Sequence, residues 1–333
     1  MAWLTAEILA DVAPRLGIEL QLEPVYGYVG QLVLPDGRRR YFRNTSFDVN
    51  GHGSAEIARD KDYCAYFLRR LGYPVPDGFT FFSEAWGRVV RSDRGVAAAY
   101  EYARARGFPV VVKPNSRSHG LGVAKVFDKK DLYAASRAVF RTAEDRVALV
   151  QPFLAGDDYR LVVLDGAVVA AYERRPLSIV GDGERTIDAL VSSRLVELAS
   201  AGRRISTPLD LAALTRRLRR QGLGLDSVLA PGRRLAVLDN ANLSAGGEAA
   251  DVTEEIHDGF RRVALSAARD LGLRYCGVDL LTQGRIDEPP LDYVILELNA
   301  APGLDHYGRM GASQRQRVEA IYERLLRLLI RLD

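Results

Sequence analysis

Two apolar segments near the C-terminal end of the sequence carry acidic and amide side chains, and they constrain this chain more than any other feature. Asp279 lies within the segment 276–281, and Glu297 and Asn299 lie within the segment 294–299. Both segments are otherwise almost purely apolar, which is typical of buried strands. Because residues two apart on a strand share a face, Glu297 and Asn299 are predicted to point to the same side.

An ionised carboxylate on an apolar strand is costly to bury unless it is paired or bound to a metal. Two carboxylates and an amide oxygen, presented together, suit a hard cation that also binds the phosphates of a substrate. Asp279, Glu297 and Asn299 are therefore the predicted metal ligands. The alternative is a salt-bridged acidic pair at the end of a sheet.

The composition bounds the class of protein. With 333 residues, 47% of them hydrophobic, the chain can bury a core and form two or three domains. The net charge of +3 is spread among interspersed acids and bases, which argues against nucleic acid as a partner. The N-terminus does not resemble a signal peptide, and no apolar run approaches the roughly 20 residues of a membrane span. Cys64 and Cys276 are expected to be buried thiols in a reducing cytoplasm.

The order of predicted elements indicates a small lobe in the middle of the chain. Strands are predicted at 109–114, 123–127 and 147–151, with a polar loop at 115–122 and a helix at 129–142. Asp165-Gly166 then predicts a two-residue hairpin turn. Further predicted helices are 5–16, 54–71 with Ser54 as N-cap, 93–106, 186–200, 208–221, 254–271 and 312–331.

Lys113 ends a predicted strand and is followed at once by a loop of small and polar residues. Glycine lets a backbone approach a ligand closely, and successive amides can cradle phosphate oxygens. A lysine at that place acts as a point charge on phosphates. A glycine-bearing turn with a surface lysine is the alternative.

Three further segments have open interpretations. The loop 240–247 offers amides and small donors, as an acyl phosphate or oxyanion site needs, or is merely a flexible loop. The segment 181–187 is a mobile lid or simply a turn. The Arg-rich stretch 215–220 is most simply a solvated helix face, with a basic contact for an anionic substrate as the minority interpretation. Gly-x-Ser-x-Gly and G-x-G-x-x-G motifs are absent.

Eight segments form a recognisable series in chain order: Val111-Val112-Lys113-Pro114, Ser118-His119-Gly120-Leu121-Gly122-Val123, Gly156-Asp157-Asp158-Tyr159-Arg160, Gly181-Asp182-Gly183, Asn242-Leu243-Ser244-Ala245-Gly246-Gly247, Thr253-Glu254-Glu255-Ile256-His257, Gly277-Val278-Asp279 and Glu297-Leu298-Asn299-Ala300-Ala301-Pro302-Gly303. Taken together, they resemble the ATP-grasp superfamily, and in particular the ATP-grasp module of cyanophycin synthetase, a relative of glutathione synthetase.

The resemblance implies an α/β (α+β) ATP-grasp fold with the nucleotide between a small central lobe and a larger C-terminal lobe. The expected division is an N-terminal region at 1–80, a central lobe at 81–153 and a C-terminal lobe at 154–333. The expected cofactors are ATP and two Mg²⁺ ions, which Mn²⁺ could replace. Relatives are often dimers or tetramers, so a homo-oligomer is compatible with the resemblance.

The resemblance also implies roles for individual residues. The residues expected to bind ATP are Lys113, Ser118, His119, Gly120, Gly122, the hinge residues Gln151, Phe153 and Leu154, and Asp158 on the ribose. The residues expected at the reaction centre are Arg174, Asn242, Gly246 and Gly247. Arg160 and Arg309 are expected to contact substrate, and Asp279, Glu297 and Asn299 to hold magnesium.

The sequence departs from the family pattern in three places. Gln151 replaces the usual acidic hinge residue, which is tolerated if the hinge backbone recognises adenine. A second nucleotide-binding lysine is absent near Ala65, where Lys61 could compensate. A Mur-type ligase module is not expected after residue 333, so the chain should not make cyanophycin by itself.

The expected activity is ATP-dependent ligation of an amino acid or peptide carboxylate to an amine through an acyl phosphate, in the cytoplasm and without nucleic acid or membrane partners. A phosphoryl transferase of the kinase type is one alternative on the same fold. A nucleotide-binding module without turnover is the other, although such a module has no need for a complete metal site.

Overall fold

The computed structural model of the protein describes residues 3–117, 120–142, 145–200, 203, 205 and 209–332. Its helices are α1 (Leu4–Val12), α2 (His52–Arg59), α3 (Lys61–Arg70), α4 (Glu84–Val90), α5 (Val96–Arg106), α6 (Lys129–Arg137), α7 (Ile187–Ser200), α8 (Leu211–Arg220), α9 (Asp258–Asp270), α10 (Asp305–Gly308) and α11 (Ala312–Arg331). Its strands are β1 (Glu19–Leu22), β2 (Val29–Val33), β3 (Arg39–Arg43), β4 (Ser46–Phe47), β5 (Phe79–Phe82), β6 (Val110–Pro114), β7 (Ala124–Val126), β8 (Val147–Pro152), β9 (Asp157–Leu164), β10 (Ala167–Arg175), β11 (Ser178–Val180), β12 (Arg234–Ala236), β13 (Glu248–Asp251), β14 (Tyr275–Thr282) and β15 (Tyr293–Asn299).

The chain divides into two compact units, each assembled from separated segments. The first unit contains residues 1–75, 159–173 and 251–333, and the second contains 76–158 and 174–250. The three-part division of the sequence into 1–80, 81–153 and 154–333 stays a prediction.

In the first unit, β10, β9, β14 and β15 are neighbours in that order in one sheet, and β1 to β4 form a second sheet in chain order. Strands β9 and β10 meet at the predicted hairpin turn, where Asp165 (φ 46°) and Gly166 (φ 74°) both have positive φ, as a two-residue type I′ turn requires. Helix α9 packs Phe260 and Ala264 into a core with Leu161 and Val278. This core fixes β14 and β15, the strands that carry the predicted metal ligands.

The helix predicted at 54–71 is two helices, because Asp60 interrupts it. Asp60 has extended backbone angles (φ −90°, ψ 110°), and its side chain accepts a hydrogen bond from the Tyr63 backbone N–H at 2.9 Å. An Asp at this place caps a new helix more favourably than it continues the old one. Lys61 thereby becomes the first residue of α3, and Ser54 lies inside α2 instead of capping it.

The second unit contains a four-stranded sheet in the order β5-β8-β6-β7. Its strands β6, β7 and β8 and helix α6 correspond to the predicted small lobe, whereas the edge strand β5 was not predicted. Val110 and Val112 of β6 are fully buried with Phe81, Leu132 and Val150. Because side chains alternate along a strand, Lys113 belongs to the opposite face from this core.

In the remainder of the second unit, α7 and α8 pack against the short antiparallel pair β11–β12, whose two strands are separated in sequence by both helices. The segment 181–187 forms a tight turn held to the residues just before β12, because the Gly181 backbone N–H donates to the Arg233 carbonyl and that of Gly183 donates to the Leu229 carbonyl. A Cβ atom at Gly181 would lie 2.3 Å from the Ala230 carbonyl oxygen, so a larger residue does not fit. These contacts favour the turn over the mobile lid.

Both cysteines are buried free thiols in the core of the first unit, with at most 1% of their surface exposed. Burial raises the pKa of Cys64 to about 11 and that of Cys276 to about 12. The apolar role expected of them is consistent with these surroundings. Within the residues that the structure describes, no helix is long and apolar enough to cross a membrane.

Neither cysteine is expected to react with iodoacetamide in the native protein at pH 8, because the reactive thiolate is scarce and the sulfurs are inaccessible. Mass spectrometry should show two additional carboxamidomethyl groups only after unfolding in guanidinium chloride. Rapid labelling of either thiol in the native state would contradict this packing.

Candidate active site

The three predicted metal ligands lie together on one face of the β14–β15 pair. Asp279 is directly opposite Glu297, and Gly277 is directly opposite Asn299. The Asn299 amide Nδ2 donates to Asp279 Oδ2 at 3.3 Å and to Glu297 Oε1 at 3.2 Å. The register shifts immediately after Asp279, as it does where an extra residue forms a β-bulge. The strand pairing thus brings two carboxylates and an amide to a single place.

Two cations offset the repulsion between the opposed carboxylates, which by itself would destabilise the strand pair. The Arg160 guanidinium binds Asp279 through Nε–Oδ1 and Nη2–Oδ2 distances of 2.6 Å each. Lys61 Nζ lies 3.3 Å from Glu297 Oε2. Although burial alone would lower the pKa of Arg160, Asp279, Tyr172 and Glu297 together outweigh burial and raise it. The site is therefore a network of alternating charges.

Gly277 makes room for this network. Arg160 lies on β9, the neighbour of β14, and its side chain crosses the backbone of Gly277. A Cβ atom at Gly277 would lie 3.2 Å from both Cδ and Nε of Arg160, tighter than an ordinary contact. The glycine therefore permits Arg160 to reach Asp279.

The donor set fits a hard divalent cation. Asp279 and Glu297 supply carboxylate oxygens, and a rotated Asn299 amide would supply a third oxygen in place of its Nδ2 group. No cluster of three or more His, Cys, Asp or Glu side chains suited to a metal occurs in the described ranges, so the amide is needed to complete the set. Magnesium also keeps several waters and binds substrate phosphates, which such a sparse protein set allows.

Lys113 and the hinge residues lie on the β8-β6-β7 part of the second unit. Lys113 is opposite Leu149 of β8, and Val111 is opposite Gln151. The Gln151 side chain is buried against Gly78, where a Cβ atom would approach its Nε2 to 3.1 Å. The structure thus places Lys113 and Gln151 on the same face of this sheet.

The hinge continues beyond β8. Phe153 donates its backbone N–H to the Pro109 carbonyl at 3.1 Å, and its ring is 38% exposed. Leu154 is half-buried. The backbone N–H of Phe153 is therefore already bonded within the protein.

The glycine loop is only partly described. Gly120 (φ 70°) and Gly122 (φ 72°) adopt the left-handed conformation that favours glycine. A Cβ atom at Gly120 would lie 3.0 to 3.2 Å from the Asn240 amide group. Ser118 and His119, both predicted to bind ATP, lie outside the described residues.

Asp158 and Arg174 form an ion pair in the second unit. Arg174 Nη2 lies 2.6 Å and Nε 3.1 Å from Asp158 Oδ1, and the two side chains are 9% and 22% exposed, respectively. Asp158 is the residue expected at the ribose and Arg174 is one expected at the reaction centre, so the ion pair connects the two predicted roles. Arg309, predicted to contact substrate, lies exposed after α10 in the first unit.

The loop 242–247 is a compact turn with its backbone held from both sides. The Asn242 carboxamide oxygen accepts from the backbone N–H of Ser244 at 2.9 Å and from its hydroxyl at 2.7 Å. Gly246 has φ 100°, and a Cβ atom at Gly247 would lie 2.8 to 2.9 Å from three carbonyl oxygens. Arg203 donates to the Gly247 carbonyl at 2.6 Å. These hydrogen bonds and close contacts make the segment a compact, internally bonded turn.

This chain is similar to known proteins over most of its length. A model of the RimK-like ATP-grasp domain matches residues 227–316. Cyanophycin synthetase of Crocosphaera subtropica is 33% identical over 273 residues, covering 78% of this chain and 29% of that protein. The glutathione biosynthesis bifunctional protein GshAB of Clostridium perfringens is 32% identical over 312 residues, covering 90% and 38%. The chain belongs to the ATP-grasp superfamily.

A solved structure supports the ATP-grasp fold over nearly the whole chain. The bifunctional glutathione synthetase from Pasteurella multocida aligns with a TM-score of 0.56 and 24% identity, covering 98% of this chain and 44% of that one. The predicted ATP-grasp family and fold class are thus confirmed. The chain spans less than half the length of each of these relatives.

Sequence reasoning missed two side chains of this ATP-grasp domain. Arg203 holds the loop 242–247, but it lies in a segment with no recognisable motif. Lys125 follows the glycine loop by three residues and points to the same sheet face as Val111, its partner across the strands. Val111 and Lys113 share a face by strand alternation, so knowledge of the β6–β7 register would have placed Lys125 on the face of Lys113.

Proposed function

We propose that this chain is an ATP-dependent carboxylate–amine ligase that forms an amide bond through an acyl phosphate. The observation that carries the proposal is the cross-strand pairing of Asp279 with Glu297, with Asn299 beside them. Opposed carboxylates weaken a strand pair, so this oxygen-rich set is not explained by a contribution to stability. It is well suited to binding a metal–phosphate complex.

Asp279, Glu297 and Asn299 are the residues that would hold magnesium. Bound Mg²⁺ offsets the charge that develops as a phosphoryl group is transferred. Arg160 and Lys61 orient Asp279 and Glu297, and Lys113 supplies a charge for the nucleotide phosphates.

In the first step, an oxygen of the substrate carboxylate attacks the γ-phosphorus of ATP, and ADP leaves as the acyl phosphate forms. In the second step, the amine nitrogen attacks the acyl carbon, phosphate departs, and the nitrogen loses a proton. Arg174 and the amides of the compact 242–247 turn are proposed to stabilise the oxyanion of this step. Positioning and charge neutralisation supply most of the acceleration.

The proposed substrates are an amino acid or short peptide with a free carboxylate, and an amine. The names of the relatives, cyanophycin synthetase and glutathione biosynthesis bifunctional protein, support this class. Arg309, exposed in the first unit, is the proposed contact for a substrate carboxylate.

The test is a screen of amino acids and dipeptides, supplied singly and in pairs, for release of ADP and phosphate with ATP and Mg²⁺. A ligase should release both only when a carboxylate and an amine are present, and hydroxylamine should trap the acyl phosphate as a hydroxamate. A stable phosphorylated product would instead identify a phosphoryl transferase. Nucleotide binding without turnover for any pair would favour a non-catalytic module.

Lys113→Ala is expected to weaken ATP binding about tenfold or more, since one charge–phosphate interaction is lost. Isothermal titration calorimetry with ATP and Mg²⁺ measures the effect. Lys130→Ala, which removes an exposed lysine of α6, is the matched control and should leave the affinity unchanged. Equal affinities of the Lys113→Ala variant and the parent protein would refute the role of Lys113.

A further inference from the structure

Lys125 lies on the sheet face that carries the predicted hinge residue Gln151. Val111 of β6 is directly opposite Lys125 of β7 on one side and Gln151 of β8 on the other. Directly opposed residues point to the same face of a sheet, and the neighbours Val110 and Val112 occupy the buried face. Lys125 is therefore placed beside the hinge and away from the core.

The ammonium group of Lys125 lies against the ring of Phe153. Its Nζ is 3.3 Å from the ring centroid, closer than to the ring of Phe127 at 5.5 Å. Phe153 follows Gln151 by two residues and is tied to Pro109 through its backbone N–H. The cation holds the ring from one side while the backbone bond holds its attachment point.

Lys125 has one attracting and one repelling charge in its neighbourhood, Asp239 and Arg217. Arg217 Nη1 lies 3.2 Å from Asp239 Oδ1, and Lys125 lies within the electrostatic reach of both residues. Burial lowers the pKa of Lys125, Arg217 lowers it further, and Asp239 acts in the opposite direction. A partly desolvated cation interacts more strongly with an aromatic ring than an exposed one does.

The Arg-rich helix α8 therefore contributes to the hinge environment. Arg220 contacts Asp131 and lies 4.3 Å over the ring of Phe127. Arg220 thus connects α8 to the β7–α6 side of the second unit, whereas Arg217 pairs with Asp239, which follows β12. The stretch is not simply a solvated helix face, and its contacts surround the place where Lys125 meets Phe153.

We propose that Lys125 is a positioning residue that fixes the Phe153 ring and thereby determines the preference for adenine over other bases. The inference rests on the proposed function and on the expectation from the family resemblance that the hinge 151–154 meets the adenine base. A ring held in one orientation gives the base site a defined width, whereas a ring free to rotate accepts differently shaped bases. Lys113, by contrast, would contact phosphates, which all nucleoside triphosphates share.

The experiment compares Lys125→Met with the parent protein by calorimetry, using ATP, GTP and inorganic tripolyphosphate as ligands. Methionine keeps a similar length and apolar bulk but loses the charge. The ATP affinity should fall about fivefold, the scale of one cation–aromatic interaction, while GTP and tripolyphosphate affinities stay constant. Phe153→Leu should reproduce the loss, and Lys125→Met added to Phe153→Leu should cause no further loss.

Lys129→Met is the matched control. The Nζ atom of Lys129 also lies near an aromatic ring, 5.0 Å from the ring centroid of Tyr100, but Lys129 belongs to α6 and not to the hinge. It should leave all three affinities unchanged. Lys125→Arg, which keeps a cation, should retain the preference for ATP. Thermal unfolding of each variant identifies losses of ATP affinity that come from misfolding. If Lys125→Met is misfolded, Lys125→Arg tests whether a cation at this position is enough to keep the preference for ATP.

Equal weakening of all three ligands by Lys125→Met would overturn the inference, because it would make Lys125 a phosphate contact. An unchanged ATP affinity, or a parent protein without preference for ATP over GTP, would also overturn it. If the parent protein binds no nucleotide at all, the proposed function itself fails. The two failures are thus distinguishable.

Discussion

Glu297→Gln is expected to lower magnesium-dependent turnover by about 10² to 10³-fold. The change removes one of two carboxylates from the proposed metal site and keeps the size of the side chain. Metal ions contribute several kcal/mol to the stabilisation of transition-state charge, and each 1.36 kcal/mol is a factor of ten in rate. Folding should be little affected, because Glu297 is 24% exposed, and glutamine keeps an oxygen that can accept from Asn299 while the ion pair with Lys61 is lost.

The measurement is release of ADP over a range of Mg²⁺ concentrations, together with Mn²⁺ binding by electron paramagnetic resonance. The binding readout matters because it separates loss of the metal from loss of a substrate contact. Glu288→Gln, in the exposed connection between β14 and β15, is the matched control and should behave like the parent protein. Normal turnover and Mn²⁺ affinity in Glu297→Gln would remove Glu297 from the metal site.

Asp279→Asn is expected to destabilise the protein by about 3 to 5 kcal/mol, in addition to abolishing turnover. Asp279 is 1% exposed and its carboxylate makes two 2.6 Å contacts with Arg160, which is itself largely buried. Removing the acid takes the bidentate partner away from a largely buried guanidinium. The loss of stability comes mainly from leaving the Arg160 charge buried without its partner, and not from the net stabilisation that the ion pair itself provides.

A double-mutant cycle in urea tests this explanation. Arg160→Met combined with Asp279→Asn removes both charges and should recover at least about half of the stability lost in Asp279→Asn alone. Asp287→Asn, which breaks the exposed ion pair between Arg285 and Asp287, should change the free energy of unfolding by less than about 1 kcal/mol. Additive losses in the Arg160/Asp279 cycle would show that the two side chains are not coupled.

Sequence patterns predicted the elements whose signals are local. The hairpin at Asp165-Gly166 and the helix 312–331 follow from turn chemistry and from apolar periodicity, which neighbouring residues determine. Elements whose stability depends on distant partners were missed, notably β5, β11 and β12. Each of these has four residues or fewer and is defined by its pairing in a sheet. The break at Asp60 was also missed, because helical periodicity alone does not reveal a residue that caps a new helix.

The sequence by itself determined the ATP-grasp family and the residue types of the proposed metal site, because Glu297 and Asn299 share a face on any regular strand. Only the tertiary structure decided that Asp279 lies directly opposite Glu297, and that Arg160 and Lys61 neutralise them. Strand register and ion pairs between residues more than a hundred positions apart depend on how the whole core packs. Local residue patterns contain no information about that packing.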